Sequence, residues 1–198
     1  MRNRRPRGAS RIHTGATVTG IATSRHQVDL ASAAASAAGL AGRVQFAYAD
    51  ALDLPYADRS FDGVWALESV VHMADRPGFL HQATRVLRPG GLSVIAEIAL
   101  REPPRDLAQV ESLQRFRADP ALIVDYPSLI AEAGLRLEEL TDISDHVRPS
   151  YPAAASAMNS HRTEYGAVMG LDAFDAFISS LRDFAPWCGY VILTASRP

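Results

Sequence analysis

The chain has 198 residues, 47% of them hydrophobic, which is enough to bury one sizeable core, and a single domain is the expectation. A formal net charge of −2 excludes a globally basic nucleic-acid-binding surface, and no segment holds the roughly 20 apolar residues that a membrane span needs. The single cysteine, Cys188, excludes an intramolecular disulfide and points to a reducing cytoplasm, with the thiol serving as buried filler.

Arg2, Arg4, Arg5, Arg7 and Arg11 make the start locally basic, but no apolar run follows them, so the arginine pair is not part of an export signal. Pro6, Gly8 and Gly15 make Met1–Thr17 a poor helix. From Ala16 onward strand-like and helix-like segments alternate. Thr17–Ala22 is β-branched and apolar, as a buried strand requires. Ser24 can cap a helix running to about Gly39, which suits the left-handed C-terminal position. A second strand is expected over Arg43–Ala49, and a third over Phe61–Leu67 after the Asp58-Arg59-Ser60 turn. Between 75 and 88, Phe79, Leu80, Ala83, Val86 and Leu87 fall on one helical face. Pro89-Gly90-Gly91 stops that helix before a strand at Leu92–Leu100. Helices are expected near 106–118, 127–133, 150–168 and 171–184, with strands near 135–141 and at Gly189–Ser196. This order argues for a mostly parallel α/β sheet.

In such sheets ligands bind at the carboxyl ends of the strands. Thr23-Ser24, Asp50-Ala51, Glu68-Ser69 with His72, and Glu97 stand at those ends. His13, His26, His81, His146 and His161 show no metal-ligand spacing, so no metal is expected.

The stretch Tyr48-Ala-Asp-Ala-Leu-Asp-Leu-Pro-Tyr56, then Ser60-Phe-Asp-Gly-Val-Trp65 and Leu87-Arg-Pro-Gly-Gly91, resembles the middle motifs of class I S-adenosylmethionine (SAM)-dependent methyltransferases. Val18–Arg25, Ala66–Arg76 and Asp142-Ile-Ser with Arg148-Pro-Ser150 narrow the likeness to the small-molecule subgroup containing the rebeccamycin sugar O-methyltransferase. The likeness runs from about residue 16 to the C-terminus. It implies a Rossmann-like sheet with an antiparallel last strand and a helical cap (about 101–133 and 145–185). SAM is the implied cofactor, and a hydroxyl on a sugar or related natural product the implied acceptor. Nucleic-acid and membrane partners are not implied.

By the same resemblance, Asp50 accepts a hydrogen bond from the adenine amino group and the Ala51 N–H serves a ring nitrogen. A carboxylate facing an exocyclic amine gives a charge-assisted bond. Asp53 is assigned to the turn. Ala22 stands where many class I enzymes carry a ribose-binding acid, leaving Thr23, Ser24 and Gln27 as ribose contacts, with Ser24 equally suited to capping. Leu67, ending its strand, is a further cofactor contact. His72 matches the subgroup's catalytic histidine, although a His-His pair there is reduced to Val71-His72. An alcohol benefits from a base during attack, and a histidine suits that task near neutral pH. Glu97 either shares the base's work or satisfies a neighbouring backbone group or arginine. Tyr126, Tyr151, Met158, His161 and Tyr165 either line the acceptor-selecting cap or simply pack. The family's Gly-x-Gly-x-Gly loop would lie just before about Arg4, so the chain is expected to lack the first strand and that loop. A start assigned too late and a degenerate, non-catalytic remnant or partner subunit both fit that expectation.

Overall fold

The computed structural model describes residues 15–198, and the expected irregular first helix lies outside the described residues except at its end. The chain divides into two compact units, Met1–Pro55 and Tyr56–Pro198.

In the first unit, β1 (Val18–Ala22) pairs in parallel with β2 (Val44–Tyr48), with Val18 opposite Val44 and Ala22 opposite Tyr48. Helix α1 (Arg25–Ala37) connects them. Ser24 is its N-cap, accepting from the Gln27 N–H at 3.4 Å, and Gly39 takes φ +67 past its end. A left-handed residue here costs a glycine nothing, which is how the chain turns out of the helix.

The second unit holds a four-stranded sheet in the order β3-β4-β6-β5. β3 (Phe61–Leu67) runs parallel to β4 (Leu87–Leu100), while β6 (Cys188–Ser196) is antiparallel to both β4 and β5 (Arg136–Asp142). The antiparallel last strand agrees with expectation. β4 begins five residues earlier than Leu92, because Leu87 already pairs with Phe61. The Gly90 N–H then reaches the Arg197 carbonyl, so the Pro-Gly-Gly segment is held between β3 and the chain's end.

Helix α2 (Arg76–Val86) starts at Asp75, whose carboxylate accepts from the Gly78 N–H at 2.8 Å. Its buried face is Phe79, Leu80, Ala83 and Val86, four of the five residues expected from the spacing, while the fifth, Leu87, belongs to β4. Helices α3 (Leu107–Phe116) and α4 (Tyr126–Glu132) follow, and α5 (Ser144–Val147) leads into α6 (Ser150–Asn159). The single helix expected over 150–168 is two, α6 and α7 (Arg162–Met169), both packed on α8 (Leu171–Phe184). Ala155, Phe174, Ile178 and Leu181 form a core there, with Phe116, Tyr151, Met158 and Phe177 against it. Cys188 is buried and unpaired by a disulfide, and burial pushes its thiol up to about 11. Among the described residues, no helix is long and apolar enough to cross a membrane and no group of His, Cys, Asp or Glu could hold a metal.

Candidate functional site

In the first unit, β2 ends in a tight turn built by Asp50. The Asp50 Oδ1 accepts from the Leu52 N–H at 2.9 Å, and the Asp53 N–H donates to the Asp50 carbonyl. This is the local side-chain bond that makes aspartate a turn residue. It occupies one carboxylate oxygen and leaves Oδ2 without a hydrogen-bond partner among the described residues. The half-buried Ala51 likewise spends its N–H on no described group. An exposed carboxylate beside an unused N–H is a donor–acceptor pair that fits the edge of an adenine ring. Of the proposed ribose contacts, Thr23 and Gln27 are exposed, whereas Ser24 is engaged as the α1 cap. Arg25 lies over the Tyr48 ring with its guanidinium carbon 4.6 Å from the centroid.

In the second unit, the chain leaves β3 through a sharp bend. Leu67 is 55% exposed, and Glu68 takes φ +51, the left-handed region, while its N–H still donates to the Ala96 carbonyl at 2.9 Å. A non-glycine residue pays roughly 1–2 kcal/mol for that conformation, and such strain gathers at functional sites. The bend leads into a 3₁₀ turn, Val70–His72, in which Val70 and Val71 are buried and His72 is exposed. The His72 Nδ1 lies 2.9 Å from the carbonyl oxygen of Arg117, the residue that caps α3.

Glu97 sits in the middle of β4, opposite Val191 of β6, and is fully buried. The Tyr126 hydroxyl, from the start of α4, donates to Glu97 Oε1 at 2.8 Å. Arg76 Nε stands 3.8 Å from the same oxygen. Glu97 Oε2 and Arg76 Nε have no hydrogen-bond partner. Burial raises the Glu97 pKa; the Tyr126 bond and the Arg76 charge oppose that rise, and the Glu68 charge adds to it. Burial, then the neighbouring Glu97, raises the Tyr126 hydroxyl in turn.

Glu97 therefore meets Tyr126 and Arg76, and the hydrogen-bond partner of the His72 ring is a backbone carbonyl. Tyr126 was marked in the sequence only as a residue of the cap or of its packing, and nothing local linked it to Glu97. Arg117 had no signal, since a left-handed arginine leaves no compositional mark. Of the cap residues, Tyr151 and Met158 pack against the helical core, Tyr165 stacks on Phe174, and the His161 Nδ1 faces Glu164 at 3.3 Å.

Residues 7–95 match the model of the methyltransferase domain. The chain is 41% identical over 192 residues to methyltransferase GfsG of Streptomyces halstedii, covering 93% of this chain and 67% of that protein. It is 40% identical over 189 residues to the 27-O-demethylrifamycin SV methyltransferase of Amycolatopsis mediterranei, covering 91% and 69%. The crystal structure of the [4+2]-cyclase SpnF superposes with a TM-score of 0.82 at 29% identity, over 92% of this chain and 67% of that one. The chain thus spans about two thirds of the length of these relatives.

Proposed function

The chain belongs to the class I SAM-dependent methyltransferases that modify small natural products, and from that premise we propose that the atom it methylates is a hydroxyl oxygen, on a sugar or related scaffold, with His72 as general base. When bound, SAM supplies a methyl group on a sulfonium, already activated for displacement. The chain's own part is to align the acceptor and to receive its proton. Alignment supplies several orders of magnitude in rate. His72 Nε2 takes the hydroxyl proton as the oxygen attacks, which contributes about 10²–10⁴-fold.

The observation that carries this reading is the state of His72. It is exposed just beyond the carboxyl end of β3, where parallel sheets bind ligands, and its Nδ1 is held while Nε2 is not engaged by any described residue. Asp50 and Ala51 would hold the adenine, through the free carboxylate oxygen and the unused N–H. Thr23, Ser24 and Gln27 would face the ribose, and Leu67 would offer a further cofactor contact.

The test is formation of S-adenosylhomocysteine from SAM with two probes, 27-O-demethylrifamycin SV and a hydroxylated glycoside. Turnover with either is expected, and His72→Ala should lower it about 10²–10⁴-fold with S-adenosylhomocysteine affinity unchanged. Undiminished turnover in His72→Ala would remove the histidine from the mechanism.

A further inference from the structure

We propose that the main-chain carbonyl of Arg117, presented by the left-handed end of α3, is the group that positions His72 and selects its reactive tautomer. This rests on the reading of His72 as the base.

Helix α3 ends at Phe116, and Arg117 turns to φ 49, ψ 41. Its N–H closes back on Gln114, and the Ala118 N–H closes on Leu113, so those two helical carbonyls are satisfied. The Arg117 carbonyl is left outside the helix and meets His72 Nδ1 at 2.9 Å. The Arg117 side chain forms no ion pair or hydrogen bond with a described residue, so the left-handed conformation is not held by its guanidinium. Neighbouring backbone bonds hold it. The Asp119 N–H donates to the Val71 carbonyl at 2.8 Å, and the Arg76 guanidinium donates to the Asp119 carbonyl. Residues 117–119 are thereby tied to 71–76 on both sides of the imidazole bond.

A carbonyl oxygen can only accept. In a neutral ring it therefore requires the proton on Nδ1 and leaves the lone pair on Nε2. A free histidine side chain populates that tautomer less, so the bond does chemical selection as well as aiming. A carboxylate commonly orients such a base, but the contact to the His72 ring is made by the Arg117 carbonyl, and the carboxylate of the adjacent strand, Glu97, accepts from Tyr126 instead. The positioning role falls to the backbone.

The experiment is a two-bond ¹H–¹⁵N correlation of the labelled protein at a pH where the ring is neutral, with His72→Ala identifying the His72 signals. The wild type and Arg117→Gly, for which the left-handed region is free of penalty, should show Nδ1 protonated and Nε2 bare. Arg117→Val, whose branched Cβ opposes that region, should move the ring toward the Nε2–H form. With 27-O-demethylrifamycin SV as acceptor probe, Arg117→Val should also lose roughly 10–100-fold in turnover, the size of effect seen when a metal-bound histidine loses the group that orients it. Its affinity for S-adenosylhomocysteine should not change. An Nε2–H ring in the wild type overturns the proposal, as does a folded Arg117→Val that keeps the Nδ1–H form. Should Arg117→Val not fold, the wild-type and Arg117→Gly tautomers decide. Failure of the base reading looks different: an Nδ1–H ring in the wild type together with full turnover in His72→Ala.

Discussion

The Tyr126 hydroxyl donates to the Glu97 carboxylate at 2.8 Å where neither residue is more than 1% exposed. The bond joins the middle of β4 to the first turn of α4, elements that approach each other only in the folded chain. A carboxyl buried this deeply is tolerated because it is hydrogen-bonded and has a guanidinium near it.

Removing the donor while leaving the acceptor should therefore be costly. Tyr126→Phe is expected to destabilise the fold by about 1–3 kcal/mol, the penalty of an orphaned buried polar group. Glu97→Gln, which keeps an acceptor for the hydroxyl and loses the charge, should cost less. Urea unfolding of the two variants checks the order, and equal stability of Tyr126→Phe and wild type would show that the bond contributes nothing.

The raised Glu97 pKa has a direction in pH. The folded state holds the proton more tightly than the unfolded state. The group's contribution is thus fully present below its unfolded pKa and is lost as pH rises through its higher folded value. Wild type should lose stability relative to Glu97→Gln on going from pH about 4 to neutral. Unfolding curves for both proteins across that range test this, and a constant difference between them refutes it.

Asp142 behaves in the opposite sense. Burial pulls its pKa up, but the Arg101 bond at 2.7 Å and the bonds from Ser144 outweigh that and set it at about 2. Its stabilisation is present above the ordinary value of 3.8 and is lost as pH falls toward 2. Arg101→Ala should flatten the acid limb of the stability curve between those values. The pair is about a third exposed, so added salt should diminish the difference.

Asp50 builds its turn and, in the proposed function, also holds the adenine, and substitution can separate the two. Asn preserves the bond to the Leu52 N–H and removes the charge, while Ala removes both. Asp50→Asn should weaken S-adenosylhomocysteine binding about tenfold, the loss of one charge-assisted bond, at unchanged thermal stability. Asp53→Ala, altering a turn residue with no assigned ligand, should bind nearly as wild type. Calorimetric titration reads both, and the reverse order of effects would reassign the contact.

Local patterning made much of the fold legible. β3 has the bounds its apolar run predicts, α1 starts at the serine that can cap it, and α2 buries the residues spaced for one face. The break between α6 and α7 was not legible, since neither glycine nor proline marks residues 159–162 and both helices are set by packing on α8. The early start of β4 was hidden for a similar reason. Pro-Gly-Gly reads as a stop until Phe61 and Arg197 are present to pair with its flanks.

By itself the sequence determined the alternation of strands and helices, the family, and the polar residues at the strand ends, because each depends on residues adjacent or regularly spaced in the chain. Tertiary structure alone decided what those polar residues meet. Glu97 lies 29 positions from Tyr126, and His72 lies 45 from Arg117. Nothing in local propensity links such positions, and a carbonyl offered by a left-handed helix end has no side chain to announce it.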